Sequence, residues 1–267
     1  MSKADIKPLW LREYLGINGP DGYTRPVEGF LSWQHLTFVT VLFLLMLFCG
    51  IYFGRKHRNA PEKTHNRALL IFALTADLTE LSKVLFLCWE HPSPWRCFFS
   101  YMPLFLCTMQ MITIPLAAVT RGRVREACLD FIAIFGPAAV FGLYAAGDFY
   151  SQFPVLSIHN VVGGITHAAI GAAAVNVLTA RLASLKKRNV PILSALILMF
   201  AGIGYYANTI LGTNYMYLAH HAGSPYQIID TLVNGHKVLY PVLVVALFFV
   251  YMALVYGIFH ALTKKKA

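Results

Sequence analysis

Tyr-Met-Pro-Leu-Phe-Leu-Cys-Thr-Met-Gln, residues 101–110, is the stretch from which the fold of this chain can be worked out. The run is apolar enough to lie in lipid, yet it carries a thiol, Cys107, and two polar side chains, Thr108 and Gln110. Polar groups are costly in hydrocarbon, and those that persist there generally face a bundle interior or a water-filled cavity. The stretch therefore predicts a membrane-embedded helical bundle with a polar layer around Cys107.

The composition of the whole chain agrees with a membrane location. Of its 267 residues, 57% are hydrophobic and 13% are charged, whereas soluble domains have a charged fraction of about 25%. The net charge of +10 comes from short basic clusters between apolar runs, which is a pattern of membrane topology and not of nucleic-acid binding. The five cysteines lack metal-ligand spacing, so no metal and no cofactor is predicted, and only Cys88 and Cys97, which bracket one short loop, are candidates for a disulfide.

Apolar runs predict an all-α fold with seven transmembrane helices. A spanning helix needs roughly 20 mostly apolar residues. Seven segments meet this requirement, at 33–53, 67–88, 99–119, 127–146, 157–182, 191–212 and 238–262. The fourth is the weakest, because Gly136-Pro137 interrupts it.

The chain contains no internal repeat or linker, which predicts a single transmembrane domain over residues 33–262. Residues 1–32 precede it as an extracytoplasmic interfacial segment without the pattern of a signal peptide, and residues 263–267 follow as a basic cytoplasmic tail. Within the first segment, residues 8–15 mix aromatic and charged side chains, which favours a short interfacial helix.

The basic residues alternate between the predicted connections. The cytoplasmic side of a membrane protein carries the excess of Lys and Arg. The connections after the first, third and fifth helices and the C-terminal tail hold 15 of them, and the N-terminal segment and the other connections hold 6. This predicts an N-terminus outside and a C-terminus in the cytoplasm, in a membrane that we expect to be the plasma membrane of a bacterium.

Three predicted helices place chemically reactive groups at one depth. At about 1.5 Å of rise per residue, Glu80 in the second helix, Cys107 in the third and His167 in the fifth fall within one to two turns of one plane in the outer half. A thiol beside an imidazole can act as a nucleophile whose proton the ring removes. A cysteine in a membrane helix can equally be a small apolar side chain, and depth alone leaves both interpretations open.

Charged residues of the second helix form a second group. Asp77, Glu80 and Lys83 stand at positions i, i+3 and i+6, which places them near one face of the helix. They predict either a structural ion network or intramembrane charges that bind a small solute.

Polar side chains near the predicted layer are candidates for stabilising an oxyanion or for lining a cavity that opens outward. Gln110 follows Cys107 by three residues, and Asn214 and Tyr215 stand just above the layer, at the outer end of the sixth helix. Amide and hydroxyl donors are the groups that such a site uses.

Four motifs make the chain similar to a known family. They are Trp33–Leu36, Met102–Cys107, His167 and Leu-Gly-Thr-Asn-Tyr-Met-Tyr-Leu at 211–218. With these motifs, the sequence from His35 to the C-terminus resembles the YwaF-type bacterial membrane proteins and their vertebrate relative, a transmembrane acyltransferase of ether phospholipids. The androgen-induced-gene-type membrane hydrolases, which use Thr and His, are more distantly similar.

The resemblance implies a lipid acyltransferase or ester hydrolase with Cys107 as nucleophile and His167 as base, acting on a membrane phospholipid or fatty acyl ester. The family pattern resembles Pro-Leu-His-Leu-Cys, and Phe105 stands here in place of its histidine. Any general base must therefore come from another helix. Two alternatives stay open: a transporter or ligand-binding protein that uses the charges of the second helix, and a scaffold subunit without chemistry.

Overall fold

The computed structural model describes residues 2–18, 22–102, 104–145, 147–222 and 224–264. Within these ranges all regular structure is helical and no strand occurs, which confirms the predicted all-α class. The helices are α1 Leu9–Leu15, α2 Trp33–Lys56, α3 Glu62–Cys88, α4 Pro94–Ser100, α5 Gln110–Val119, α6 Gly122–Phe135, α7 Ala138–Ala145, α8 Gly147–Gln152, α9 Ile158–Thr179, α10 Val190–Leu211, α11 Gln227–Leu232 and α12 Leu239–Lys264. The basic tail continues to Lys265 and Lys266, which lie outside the described residues.

Four helices of the described chain are long and apolar enough to cross a membrane, namely α2, α9, α10 and α12. They coincide with the first, fifth, sixth and seventh predicted segments. The second predicted segment is also one helix, α3, which has 27 residues. Its charged side chains make it more polar than the other four.

The third predicted segment, 99–119, is wrong as a continuous helix. Between α4 and α5 the chain has no regular helix over residues 101–109, of which Pro103 is not described. Proline disfavours the helical conformation in the residue before it, and Met102 is accordingly non-helical. The fourth segment is divided into α6 and α7 at Gly136-Pro137, where the sequence predicted the interruption.

Helix α9 lies at the centre of the bundle. In its most apolar window 67% of the residues are buried, against 17% for α2 and 28% for α10. It packs on α2 and α3 and also contacts α5, α6 and α7. The abundance of glycine and alanine in α9 explains this position, since small residues let neighbouring backbones approach closely.

Glycines mark the contact between α2 and α9. The facing pairs are Gly164 with Phe38 and Leu42, Gly171 with Met46, Gly50 with Val175, and Gly54 with Thr179. Residue numbers rise together along both helices, so α2 and α9 run parallel. The chain between them must therefore return to the end of the bundle at which α2 begins before α9 starts.

Gly50→Ala should destabilise this contact. A Cβ at residue 50 would lie 2.5 Å from the Cβ of Val175 and 2.8 Å from the carbonyl oxygen of Ala172, neither of which can move without the backbone. Overpacking of this kind costs about 2 kcal/mol, which a thermal unfolding scan of the detergent-solubilised protein would detect. Gly202→Ala in α10 is the matched control, because a Cβ at residue 202 would meet nothing within 4 Å. Equal melting temperatures for the two variants would contradict the packing described.

The N-terminal segment folds back onto the bundle. The Glu28 carboxylate accepts a hydrogen bond from the backbone N–H of Val155 (2.8 Å), and the ring of Tyr23 packs edge-on against Phe153. The predicted helix at residues 8–15 is present as α1, and the Trp10 side chain is 72% exposed. Its contact with the membrane interface stays a prediction.

Candidate active site

The irregular segment 101–109 is held in shape by its own side chains and by a neighbouring loop. The Thr108 hydroxyl accepts a hydrogen bond from the Phe105 N–H (3.0 Å) and donates one to the Phe105 carbonyl oxygen (3.1 Å). The Phe105 ring packs edge-on against Tyr215 and Tyr217, with both centroid distances at 5.8 Å. Phe105, which replaces the histidine of the resembling family, therefore anchors the segment.

The loop that follows α10 is itself braced by one buried amide. Asn208 accepts hydrogen bonds from the Tyr215 N–H (2.6 Å) and the Thr213 hydroxyl (3.0 Å), and it donates one to the Tyr215 carbonyl (3.1 Å). The brace holds Met216 and Tyr217 at positive φ, 54° and 58°, a region that such residues rarely adopt. Sequence reasoning missed Asn208, although an asparagine inside an apolar span was a usable signal.

Asn214 and Tyr215, which the sequence predicted as cavity-lining residues, have different contacts: Asn214 stabilises the loop itself, and Tyr215 joins the loop to the irregular segment. The Asn214 side chain accepts hydrogen bonds from the N–H groups of Ala219 and His220 and donates one to the His220 carbonyl. The buried Tyr215 donates its hydroxyl hydrogen to the Phe99 carbonyl, just before the irregular segment. The polar groups of both side chains are therefore used in hydrogen bonds that stabilise the backbone.

The structure brings the Cys107 thiol and the His167 ring together, close enough for the two side chains to interact electrostatically. The Nδ1 atom of His167 lies 2.8 Å from the carbonyl oxygen of Gly163, one turn earlier in α9. A carbonyl oxygen only accepts, so Nδ1 carries a hydrogen, and Nε2 of the neutral ring is left as the basic nitrogen. Cys107 and His167 are both half-buried. The pair has the composition and the tautomer of a nucleophile with its base.

Glu80 lies beside this pair. Its carboxylate is 2.5 Å from the ammonium of Lys83 and accepts a hydrogen bond of 3.4 Å from Thr166, the residue before His167. It also lies close enough to His167 to interact electrostatically with the ring. The predicted layer of Glu80, Cys107 and His167 thus exists as a set of neighbouring side chains.

The third charged residue of α3 is not part of that ion pair. Among the described residues, Oδ1 of Asp77 is buried and has no hydrogen-bond partner. The expectation that Asp77, Glu80 and Lys83 pair with one another therefore holds for Glu80 and Lys83 only. Helix geometry explains why Lys83 pairs with Glu80 and not with Asp77: Lys83 is about one turn from Glu80 but nearly two turns from Asp77.

Gln110 and Tyr226 complete the surroundings. The side-chain amide oxygen of Gln110, Oε1, accepts the Thr113 hydroxyl hydrogen (2.9 Å), while its Nε2 is buried without a hydrogen-bond partner in the described part of the chain. Tyr226, next to α11, lies near enough to Cys107 to interact electrostatically, and its ring contacts Tyr217 at 5.6 Å. Sequence reasoning missed Tyr226 because nothing in a loop sequence indicates which residue lies near the thiol.

Within the described ranges, no group of three or more His, Cys, Asp or Glu side chains has the arrangement of a metal site.

Apolar helices able to cross a membrane, together with a polar site between them, define this chain as an integral membrane protein of the helical-bundle class. A family model narrows the assignment: residues 30–258 match the TMEM164 family, and the chain belongs to it. The match includes both Cys107 and His167. No curated protein and no solved structure is significantly similar to the chain.

Lys83→Met should destabilise the protein more than the double substitution Glu80→Gln with Lys83→Met. The single variant leaves a carboxylate that is only 11% exposed without its partner, and an unpaired buried charge costs about 3 kcal/mol or more. The double variant removes both charges. Thermal unfolding of the two variants and of Glu80→Gln alone forms a double-mutant cycle. Zero coupling between the two positions would contradict a buried ion pair.

Proposed function

We propose that this protein is an integral membrane lipid acyltransferase or ester hydrolase, with Cys107 as the nucleophile and His167 as the general base. The observation that supports this most strongly is the close approach of the thiol and the imidazole, which come from different segments of the chain. The resemblance to the ether-phospholipid acyltransferase points to the same two residues. A thiol needs an adjacent base to become the reactive thiolate at neutral pH.

The reaction proceeds in two half-reactions. Nε2 of His167 takes the proton of Cys107, and the thiolate attacks the carbonyl carbon of a lipid ester. The tetrahedral intermediate expels the alcohol, which leaves with the proton from His167, and an acyl thioester remains on Cys107. His167 then removes a proton from a lipid hydroxyl or from water, which attacks the thioester, and the returning proton restores the thiol.

Two further residues stabilise the charges that develop during the reaction, namely the oxyanion of the tetrahedral intermediate and the imidazolium of His167. Gln110 supplies a buried Nε2 that has no acceptor among the described residues, and we assign it as a donor to the oxyanion, since such donors lower the barrier of acyl transfer. Glu80 stabilises the imidazolium that forms on His167. Because the polar groups of Asn214 and Tyr215 are hydrogen-bonded within the loop and to the Phe99 carbonyl, we propose an architectural role for them.

We further propose seven membrane crossings, with the N-terminus outside and the C-terminus in the cytoplasm. Lys83 lies near His159 and Glu80 near Thr166, so α3 is antiparallel to α9, whereas α2 is parallel to it. If α2 and α9 both cross, the chain between them crosses an odd number of times. Helix α3 with the pairs α4–α5 and α6–α7 gives three crossings and a total of seven. The distribution of basic residues orients the bundle.

In this orientation the pair lies in the outer half of the membrane, and the ester enters from the outer leaflet. Ile228 and Leu232 on α11 are 70% and 75% exposed, beside the Tyr226 that lies near the thiol. This exposed apolar edge is suited to contact acyl chains at the entrance. The membrane that we propose is the plasma membrane of a bacterium, with a phospholipid or fatty acyl ester as substrate.

Turnover of lipid by the purified protein in nanodiscs tests the proposal. Phospholipids labelled in one acyl chain would be incubated with and without a lysophospholipid acceptor, and labelled fatty acid and labelled product would be measured. Cys107→Ala and His167→Gln should each lower both signals roughly 100-fold or more. Cys49→Ala, another half-buried membrane cysteine, is the control and should keep wild-type turnover. Equal turnover by wild type and Cys107→Ala would refute the proposal.

A second candidate function is binding or transport of a small cationic solute. The observation in its favour is the buried Oδ1 of Asp77, which has no hydrogen-bond partner in the described structure. Uptake of choline into proteoliposomes separates the two functions. A carrier loses uptake in Asp77→Asn and keeps it in Cys107→Ala, whereas the enzyme keeps lipid turnover in Asp77→Asn and loses it in Cys107→Ala.

A further inference from the structure

A second pair of thiols lies at the corner between α3 and α4, away from the proposed nucleophile. Cys88 is the last residue of α3 and Cys97 is in the middle of α4. Both are buried, with 8% and 4% of their surface exposed, and they pack in one small cluster with Val84 and Phe98. The two thiols are neighbours in this cluster and lie close enough to interact with each other.

The corner that carries this pair is closed by local and distant contacts. The His91 N–H donates to the Cys88 carbonyl (3.1 Å), and the Cys97 N–H donates to the Ser93 carbonyl (3.0 Å). The N-terminal segment covers the corner, since the Lys3 N–H donates to the Glu90 carboxylate (3.1 Å) and the Lys3 ammonium lies 4.8 Å from the centre of the Phe86 ring. These contacts hold the two thiols in place without a covalent bond.

We propose that Cys88 and Cys97 form a disulfide that joins α3 to α4. Disulfides form in extracellular, periplasmic and luminal compartments and are rare in the cytosol. The inference rests on the orientation proposed above, which places this corner on the side opposite the cytoplasm. The remaining cysteines are not at this corner: Cys49 is in α2, Cys128 is buried in α6, and Cys107 lies beside His167.

The bond forms by thiol–disulfide exchange with a protein or small-molecule disulfide as the oxidant. One thiolate attacks the oxidant and gives a mixed disulfide. The second cysteine then displaces the oxidant's remaining thiol and closes the S–S bond. The oxidant gains the two electrons and two protons that Cys88 and Cys97 lose, and it leaves as two thiols.

The bond has a structural consequence for the site. It fixes the outer end of α3, the helix that carries Glu80 and Lys83, to α4, which leads directly into the segment with Cys107. Closing this short loop covalently lowers the entropy of the unfolded chain. The disulfide therefore raises the free energy of unfolding and ties the helix that carries the Glu80 carboxylate to the segment that carries the Cys107 thiol.

Trapping the thiols in native membranes tests the inference. Membranes that contain the protein would be dissolved in a denaturant together with N-ethylmaleimide, which alkylates free thiols. The protein would then be purified, digested without reductant and mapped by mass spectrometry. We expect a cross-linked peptide pair that joins Cys88 to Cys97, while Cys49 and Cys107 carry the maleimide. In a separate sample of folded, detergent-solubilised protein, reduction of the bond and alkylation of the thiols should lower the thermal unfolding midpoint by roughly 5 °C.

Two variants complete the experiment. Cys97→Ser should leave Cys88 labelled and remove the reductant sensitivity of the unfolding midpoint, whereas Cys49→Ser should retain both the cross-link and the sensitivity. Full maleimide labelling of Cys88 and Cys97 in trapped wild-type protein would overturn the inference. So would failure of the purified, reduced protein to form this bond in glutathione disulfide. None of these readouts uses lipid turnover, so they are independent of the proposed activity.

Discussion

The structure depends on a break in a helix at a place where the chain is apolar enough for lipid. Backbone N–H and C=O groups that leave a helix in hydrocarbon must find partners within the protein. Over residues 101–109 part of this requirement is met by the Thr108 hydroxyl, which bonds both backbone groups of Phe105. The Tyr215 hydroxyl satisfies the Phe99 carbonyl at the entrance to the break. The same short segment therefore contains both the contacts that stabilise the break and the candidate nucleophile, Cys107.

The two partners of the candidate site come from different parts of the packed core. Leu104 and Met109, which flank Cys107, pack in a cluster with α6, α10, α12 and the loop at 215–218. The helices that carry His167 and Glu80 pack in the other large cluster, in which α2, α3 and α9 meet. The thiol and the imidazole thus face each other across the junction of two clusters. A movement of one cluster relative to the other would change the distance between the thiol and the imidazole, on which the proposed proton transfer depends.

Much of the fold followed from the sequence because hydrophobic length is a direct physical requirement of a membrane. The bounds of α2, α9, α10 and α12 lie within a few residues of the predicted segments. The break at 101–109 was not predicted, because an apolar run looks the same whether it is helical or held open by partners that come from residues 208–217. The proline at 103 was the available warning.

The candidate site was predicted in part. Depth along three segments placed Glu80, Cys107 and His167 at one level, since the rise of a helix converts residue number into height. The angular positions could not be obtained in this way, so the contact between Cys107 and His167 came from the structure.

Tertiary contacts also decided the roles of Asn214 and Tyr215, whose polar groups are hydrogen-bonded in and around the loop. The same kind of contact, which a sequence does not give, left Asp77 outside the ion pair.

The rate at which Cys107 is alkylated by iodoacetamide at pH 7 tests the central claim, which is that His167 acts as the base for this thiol. Peptide mapping by mass spectrometry would follow Cys107 and Cys49 in the same sample, so that Cys49 reports general access to the membrane interior. We predict that His167→Gln slows alkylation of Cys107 by about tenfold or more and leaves Cys49 unchanged. An unchanged rate at Cys107 in His167→Gln would contradict the claim.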